Sequence, residues 1–260
     1  MYATERQESI GRELSQNGRV SVVALARAFG VTTETVRRDL DALERAGALR
    51  RVHGGAVSAD RGSTTETAVA ERGEVRGDQK TRIAARALAA IGEGFRGSVY
   101  IDAGTTTAAL ARSLALHVGA AGRVDVVTHS VPIAFELGSR ADIPITIIGG
   151  RVRGLTAAAV GSETVRAIEH LRPDVAFLGT NGLSAEFGLS TPDPDEAAVK
   201  RAIVGAARRV VVLADSSKVD DEFLVRFARI EDVDVVVTDA ALPAELAAAL
   251  HAAEVEVWTA

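Results

Sequence analysis

The fold is decided by residues 21–57, which read SVVALARAFGVTTETVRRDLDALERAGALRRVHGGAV. Ser21 is placed to cap a short helix that Gly30 ends. The apolar residues of this helix recur at helical spacing: Val22, Leu25, Ala26 and Phe29. Thr32 is then placed to cap a second helix that Gly47 ends. Two short helices joined by a glycine-containing turn are typical of a helix-turn-helix.

The second helix separates its polar residues from its apolar ones. Its apolar side holds Val36, Leu40 and Leu43. A basic extended pair follows at 49–52 and 53–57, and a helix-turn-helix with such a hairpin predicts a winged helix-turn-helix that binds operator DNA. We expect seven side chains to contact the major groove or its flanking phosphates: Thr33, Thr35, Arg37, Arg38, Arg50, Arg51 and His53.

One arginine of that set has a second interpretation. Arg38 could instead form an ion pair with Asp39 or Asp41, without touching DNA. The sequence alone does not decide between the two.

The charge of the chain is divided unevenly. Residues 1–57 hold nine Arg against seven Asp and Glu, a balance of +2, whereas the remainder has a balance of −7 and the whole chain −5. Basic charge is therefore concentrated in the segment that is predicted to contact DNA phosphates. The acidic remainder of the chain disfavours indiscriminate binding to DNA.

Composition excludes several classes of protein. The chain has 260 residues, is 47% hydrophobic and 25% charged, and contains no cysteine, so disulfides and thiolate metal sites are excluded. No apolar run approaches the ~18 residues of a membrane span. With a polar N-terminus, these features predict a cytoplasmic protein without a membrane partner, and we expect neither a cofactor nor a metal.

The chain is predicted to hold two domains joined by a polar linker. The DNA-binding domain covers 1–57 and begins with a helix at 5–16, the linker covers 58–78, and an α/β domain covers 79–260. Continuous β-branched runs predict strands at 99–102, 124–128, 145–148, 175–179, 210–215, 235–238 and 255–258. Helices are predicted at 80–91, 106–116, 131–137, 162–170, 196–207 and 243–251. This alternation predicts a Rossmann-like α/β effector domain with a mainly parallel sheet.

Four strand ends of this domain are polar or rich in glycine. They read DAGTTT (102–107), GGRVR (149–153), GTNG (179–182) and DSSK (215–218). Ligands of open α/β sheets lie at the carboxyl ends of the strands, and the first loop precedes a helix whose N-terminus favours an anion. Together the four loops favour a phosphorylated ligand.

Each loop also has a purely structural interpretation. The threonines could only cap a helix, Gly149-Gly150 could be a plain turn with solvated arginines, and Asn181-Gly182 is a common turn pair. Lys218 could pair locally with Asp215, and Glu196 and Lys200, four residues apart on a helix, could form a surface ion pair.

Assembled in this order, the motifs resemble those of the DeoR family of bacterial transcriptional regulators over nearly the whole chain. The head is similar in VTTETVRRDL (31–40) and RVHGGA (51–56), and the body in the four strand-end loops. The resemblance implies a homodimeric or homotetrameric regulator, usually a repressor of a carbohydrate operon. It also implies that binding of a phosphorylated sugar relieves the repression. It implies an effector site formed by Asp102, Gly104, Thr105, Thr106, Thr107, His129, Gly150, Asn181, Glu196, Lys200 and Lys218.

The body of that family is similar to ribose-5-phosphate isomerase, which raises the alternative of an enzyme. The isomerase has an aspartate-rich loop where this chain has Gly179-Thr180-Asn181-Gly182, so we expect no catalytic residue, although Glu196 could serve as a base. A ligand-dependent activator, or a repressor that needs its ligand, is a further alternative. His129 stands where the family often has asparagine, and it could make binding sensitive to pH near neutrality.

Overall fold

The computed structural model describes residues 2–52, 54–59, 62–92, 94–117, 123–140 and 143–260. The chain forms two compact units, Met1–Thr65 and Glu66–Ala260. In the part of the chain that is described, no helix is both long and apolar enough to span a membrane.

The described residues of the first unit form three helices and a three-stranded antiparallel sheet. The elements are α1 (Ala3–Asn17), β1 (Arg19–Ser21), α2 (Val22–Phe29), α3 (Thr33–Arg45), β2 (Leu49–Val52) and β3 (Gly55–Ser58). The strand order is β1-β3-β2, so the predicted winged helix-turn-helix is confirmed and its hairpin gains a third strand. Sequence analysis missed β1 because its three residues, Arg19–Ser21, include a single β-branched side chain.

One core holds the first unit together. Its buried members are Ile10, Leu14, Val20, Val22, Leu25, Ala26, Val36, Leu40, Leu49 and Ala56. One local prediction was wrong: Ser21 occupies the cap position of α2, but its side chain makes no capping hydrogen bond. Gly47 terminates α3 as predicted, since it follows the C-cap Ala46 with a φ of 73°.

The second unit alternates helices and strands. Its helices are α4 (Val69–Glu74), α5 (Gly77–Ala87), α6 (Thr105–His117), α7 (Val131–Gly138), α8 (Ser162–Glu169), α9 (Pro194–Ala206) and α10 (Ala244–Ala252). Its strands are β4 (Arg96–Ile101), β5 (Arg123–Thr128), β6 (Ile145–Ile147), β7 (Arg151–Arg153), β8 (Ala158–Val160), β9 (Val175–Gly179), β10 (Gly182–Ser184), β11 (Gly188–Thr191), β12 (Val210–Leu213), β13 (Val225–Ala228), β14 (Val235–Thr238) and β15 (Glu256–Thr259). Single 3-10 turns occupy Leu88–Ile91, Ser216–Lys218 and Ile230–Asp232.

Seven strands form the predicted parallel sheet, in the order β15-β14-β12-β9-β4-β5-β6. From β4 the chain moves outward through β5 to β6, then returns to β9 on the other side of β4. The direction of winding therefore reverses between β4 and β9. Ligands of open α/β sheets bind at such a switch point.

Helices cover both faces of this sheet. One apolar layer includes Ile83 of α5, Leu110 of α6 and Ile133 of α7. The other includes Ile203 of α9 and Leu246 of α10, together with Ile168 of α8. The inner strands β9, β12 and β14 are buried along nearly their whole length, which explains their continuous apolar runs, whereas the edge strands β6 and β15 are largely exposed.

Two smaller sheets were not predicted. An antiparallel pair joins β7 to β8, and a second sheet has the order β10-β11-β13. Their strands are three or four residues long and contain glycine, serine and arginine, so they lack the β-branched runs that identify the main sheet.

The boundary between the units differs from the predicted linker at 58–78. The second unit begins at Glu66, α4 lies inside the predicted linker, and α5 begins at Gly77. Ion pairs and hydrogen bonds, rather than an apolar face, hold residues 66–76 in place, and the sequence of this segment is accordingly polar. Hydropathy patterns therefore did not reveal it.

Candidate DNA interface and effector site

A cap and a buried ion pair hold α3 in place. The Thr35 backbone N–H donates to Thr32 Oγ1 at 3.2 Å, which confirms the predicted cap. On the inner face, Asp39 accepts from Arg6 Nε at 2.7 Å and from Arg6 Nη2 at 3.2 Å. A two-point contact between guanidinium and carboxylate fixes orientation as well as distance, so α1 sets the direction in which α3 points.

The opposite face of α3 exposes the predicted DNA-contacting side chains. Thr33, Arg37 and Arg38 are exposed, whereas Thr35 is half-buried and its hydroxyl lies 3.0 Å from Thr32 Oγ1. Glu34 lies 3.7 Å from Arg37 Nη1 and 3.6 Å from Arg38 Nε. Exposed pairs of this kind are weak, so phosphates can compete for both arginines.

The alternative partners considered for Arg38 were wrong. Asp39 is paired with Arg6, and Asp41 is paired with Arg51. Arg38 faces Glu34 because residues four apart share one side of a helix.

The two arginines of β2 differ in their surroundings. Arg50 is exposed, whereas Arg51 contacts Asp41 and donates from its backbone N–H to Glu44 at 2.7 Å. Arg51 thus joins the wing to α3. His53 lies outside the described residues.

In the second unit, a buried ion pair marks the switch point of the sheet. Asp102 follows β4, is fully buried, and accepts from the backbone N–H of Gly179 at the end of β9 at 2.9 Å. Lys200 of α9 contacts the same carboxylate and also donates to the carbonyl of Gly179 at 2.9 Å. One lysine therefore links α9 to the two strands between which the sheet reverses.

The same carboxylate faces a buried histidine. His129 Nε2 lies 3.6 Å from Asp102 Oδ1, and His129 Nδ1 lies 3.0 Å from the Tyr100 hydroxyl. Burial lowers the pKa of His129 to about 4, although Asp102 alone would raise it. The expectation that His129 titrates near neutral pH is therefore wrong, because charging it inside the protein is too costly.

This lowered pKa predicts how stability depends on pH. His129 takes up a proton less readily in the folded chain than in the unfolded one. Its contribution to the free energy of unfolding is therefore complete above about pH 6.5 and is lost as the pH falls towards 4. Each pH unit below about 6.5 should remove up to about 1.4 kcal/mol of the free energy of unfolding. Urea unfolding followed by fluorescence of Trp258, the single tryptophan, measures it. His129→Asn should show a flatter dependence, and an unchanged slope in that variant would contradict the assignment.

The threonine-rich loop is placed as the sequence predicted. Thr105, Thr106 and Thr107 form the first turn of α6, whose backbone N–H groups have no acceptor within the helix. Thr107 Oγ1 donates to the carbonyl of Gly104 at 3.0 Å, so this hydroxyl is used locally. Thr105 is the least buried of the three.

The glycine loops at the other strand ends are closely packed. Gly150 has a φ of 148°, and a Cβ there would lie 2.0 Å from Thr164 Oγ1, so this position requires glycine. Asn181 is half-buried and donates from its backbone N–H to the carbonyl of Ser190 at 3.2 Å. The backbone at both positions is therefore part of the scaffold of these loops.

Glu196 and Lys200 are not a surface ion pair. Both are buried, and Lys200 is paired with Asp102 as described. Glu196 accepts from Arg153 Nη1 at 3.0 Å and from Thr156 Oγ1 at 2.5 Å. Burial and a nearby carboxylate, Glu66, raise the pKa of Glu196.

A second charged cluster surrounds Asp215 at the end of β12. Arg76 Nη1 lies 3.1 Å from Asp215 Oδ1, and Ser217 donates to the same oxygen. Burial alone would raise the pKa of Asp215, but Lys218, Ser217 and Arg76 together lower it. Lys80, buried in the first turn of α5, interacts electrostatically with Asp215 and Lys218 of this cluster. Burial lowers the pKa of Lys80 to about 8.

Sequence analysis missed several charged residues of the site. They are Glu66, Arg72, Arg76 and Lys80. All four stand within or beside the predicted linker, away from any predicted strand end. Arg153 was considered together with Arg151 as a possible phosphate partner; in the structure Arg153 is half-buried, whereas Arg151 is exposed.

Comparison with known proteins covers both units. Residues 6–62 match the model of the DeoR-like helix-turn-helix domain, and residues 76–240 match the DeoR C terminal sensor domain. This chain belongs to the DeoR family. The first unit is accordingly its helix-turn-helix domain and the second its sensor domain.

DeoR-family relatives align over almost their whole length. The HTH-type transcriptional regulator GlpR of Haloferax volcanii is 36% identical over 99% of this chain and 98% of its own. The glycerol-3-phosphate regulon repressor of Escherichia coli K12 is 32% identical over 94% of this chain and 93% of its own. These relatives carry the names of regulators, not of enzymes.

Among solved structures, ribose 5-phosphate isomerase A from Methanocaldococcus jannaschii is similar with a TM-score of 0.41 and 18% identity. The similarity covers 55% of this chain and 54% of the isomerase, so the chain spans about half the length of that enzyme.

Proposed function

We propose that this DeoR-family protein is a repressor of a carbohydrate-metabolism operon, and that a phosphorylated sugar or polyol bound to the sensor domain relieves repression. The observation that carries the proposal is the Lys200–Asp102 pair at the switch point of the sheet. Three relatives are named as glycerol-3-phosphate regulon repressors, which supports both the repressor and a phosphorylated ligand.

The ligand is proposed to lie between the strand-end loops. The first turn of α6 offers backbone N–H groups at a helix N-terminus, where the helix dipole favours a phosphate. Arg153 and Lys218 offer positive charge on either side of the switch point, and Asn181 offers a hydrogen-bonding side chain for a hydroxyl. The remaining residues predicted for the site support these positions from the scaffold.

On the DNA side, we propose that Thr33, Arg37 and Arg38 contact the major groove and that Arg50 contacts the backbone beside it. Arg51 serves chiefly to hold the wing against α3. A dimer or tetramer would present two or more such heads at fixed spacing, which raises affinity well above that of a single small basic surface.

The proposal is tested by titrating the full chain onto DNA from upstream of its own gene, with and without phosphorylated compounds. The panel includes glycerol-3-phosphate, ribose-5-phosphate and hexose phosphates, each beside its unphosphorylated parent. One phosphorylated compound should weaken DNA binding by roughly 5- to 150-fold, and DNA should weaken binding of that compound by the same factor. Release of DNA by the unphosphorylated parent compound alone would contradict the mechanism.

Arg37→Ala provides the matched DNA variant for this titration. If Arg37 reads a base, the substitution should weaken operator binding by about 1–3 kcal/mol and relax the preference at one base pair. Its affinity for the effector should stay at the wild-type value, because the substitution lies in the other domain. Equal loss on all DNA sequences would instead identify a phosphate contact.

We further propose that the sensor binds without turnover. Asp102 is neutralised by Lys200, and Glu196 is engaged by Arg153 and Thr156, so neither carboxylate is free to accept a proton from a sugar. Incubation of the protein with ribose-5-phosphate and hexose phosphates, followed by NMR, tests this point. Isomerisation that Glu196→Gln abolishes would identify an enzyme.

A further inference from the structure

The first residues of the sensor domain form a segment that is tied down at both ends, which we call the strap (residues 66–76). At one end Glu66 accepts from Arg153 Nη1 at 2.7 Å, and the Val69 backbone N–H donates to the carbonyl of Leu155 at 2.9 Å. At the other end Arg76 is held by Asp215. Arg153 and Asp215 belong to two of the strand-end loops between which the effector is proposed to bind.

The contact of Glu66 is buried but incomplete. The Glu66 side chain is 2% exposed, and only its Oε2 accepts the bond from Arg153. Within the described chain Oε1 is buried and accepts no hydrogen bond, with Arg72 Nη2 at 3.4 Å. Oε1 thus faces a cation without a hydrogen bond, and this incomplete compensation of a buried carboxylate lowers the free-energy cost of releasing Glu66.

Arg153 is shared among several carboxylates. Besides Glu66, it contacts Glu196 at 3.0 Å and Asp193 at 3.1 Å, and its side chain remains 19% exposed. Crowded carboxylates repel one another, which is why Glu66 raises the pKa of Glu196. A partly exposed guanidinium surrounded by excess negative charge is open to exchange of one anion for another.

We infer that Glu66 is a built-in competitor of the effector: its carboxylate holds the anion position on Arg153, and an incoming phosphate group that binds Arg153 displaces it and releases the strap. The inference rests on the proposed function and adds to it how the sensor responds to its ligand. Arg153 binds the phosphate group of the ligand, Glu66 competes with that phosphate for Arg153, and the strap is released when Glu66 is displaced.

The chemistry of the exchange favours a phosphate monoester over other ligands. A phosphate carries more charge than a carboxylate and binds a guanidinium through two parallel hydrogen bonds. A neutral sugar offers no charge to replace that of Glu66. Because Glu66 directly follows Thr65, the last residue of the first unit, its release lengthens the untethered chain between DNA-binding domain and sensor. Longer tethers lower the effective concentration of a second head at its half-site.

The decisive experiment measures binding of inorganic phosphate to the full chain by calorimetry at constant ionic strength. Glu66→Gln keeps the size of the side chain but removes its charge, so phosphate should bind roughly 5- to 150-fold more tightly than to the wild type. Glu71→Gln is the matched control, since Glu71 is an exposed acid of the same strap. Arg153→Gln should lose phosphate binding, whereas Arg151→Gln, on the exposed arginine of the same strand, should retain it.

Hydrogen exchange of the Val69 amide gives a second readout. Phosphate should accelerate this exchange in the wild type, because release of Glu66 loosens the Val69–Leu155 hydrogen bond. In Glu66→Gln the exchange should be fast before phosphate is added. A purely structural role of Glu66 would change exchange without tightening phosphate binding, and Trp258 fluorescence confirms that each variant is folded.

Two results would overturn the inference. One is a phosphate affinity of Glu66→Gln that equals or falls below those of the wild type and Glu71→Gln, including no binding in any of them. The other is a wild-type Val69 exchange rate that phosphate leaves unchanged. If sugar phosphates still release operator DNA in either case, the strap mechanism fails while the proposed function stands.

Discussion

Replacing Lys200 with methionine is expected to destabilise the sensor domain by about 3–5 kcal/mol, because it leaves a buried carboxylate without its counter-charge. Asp102 is fully buried at the centre of the sheet, and Lys200 is the cation that contacts it. The other hydrogen bond to the Asp102 carboxylate comes from the backbone N–H of Gly179. Asp102 Oδ1 accepts no hydrogen bond from the described residues. Removing the ammonium group therefore isolates a negative charge in a nonpolar interior.

Urea unfolding followed through Trp258 measures this loss in the sensor alone, since the DNA-binding domain contains no tryptophan. Arg201→Met is the matched control: it removes a cation from the next position of α9, where the side chain is exposed. The control should unfold close to the wild type. Adding Asp102→Asn to Lys200→Met should recover much of the loss, since the isolated charge is gone. A double variant no more stable than Lys200→Met would show that burial of charge is not the cause.

Replacing Gly55 with alanine is expected to open the wing and to weaken operator binding. A Cβ at Gly55 would lie 2.0 Å from the carbonyl oxygen of Val20 and 3.3 Å from Cα of Ser21, both on the paired strand β1. These are backbone atoms, so no side chain can rotate away to make room. Overpacking of this kind usually costs about 1–3 kcal/mol, and a rigid backbone contact places Gly55 at the upper end.

Operator affinity by fluorescence anisotropy and hydrogen exchange across β1 and β3 together test this prediction. Gly11→Ala is the matched control, because a Cβ there meets nothing within 4 Å and the residue lies inside α1. Alanine is favoured over glycine in a helix by about 0.5–1 kcal/mol, so the control should be slightly more stable. If the amides of β1 and β3 in Gly55→Ala exchange at the wild-type rate, the sheet tolerates the methyl group and the prediction is wrong.

The extent to which the fold could be predicted depended on the length of each element. The buried strands of the main sheet and the helices between them were found within a few residues, because each carries several apolar residues at a fixed period. The short strands β1, β7 and β10 were missed because each holds at most one β-branched residue, whereas β6, equally short, reads ITI and was predicted. The strap was taken for a linker because ion pairs, rather than an apolar face, hold it.

Most of the candidate site residues were selected because they follow strands, as Asp102 and Lys218 do, and strand ends gather at one edge of a parallel sheet. Glu196 and Lys200 lie on α9 instead and were assigned to the site only through the family resemblance. Arg153 was grouped with Arg151, although Arg153 proved half-buried and paired with Glu66, whereas Arg151 is exposed. His129 was expected to sense neutral pH, and burial removed that property by lowering its pKa to about 4.

The sequence by itself determined the winged helix-turn-helix, the parallel α/β sensor, the DeoR resemblance and the concentration of basic charge in the head. All of these depend on local order along the chain: periodicity, caps, turns and motifs. Only the tertiary structure decided which charges are buried and with whom they pair, as for Lys200 with Asp102 and Glu66 with Arg153. The physical reason is that a charged residue takes its properties from desolvation and from distant neighbours, and neither is encoded at its own position in the chain.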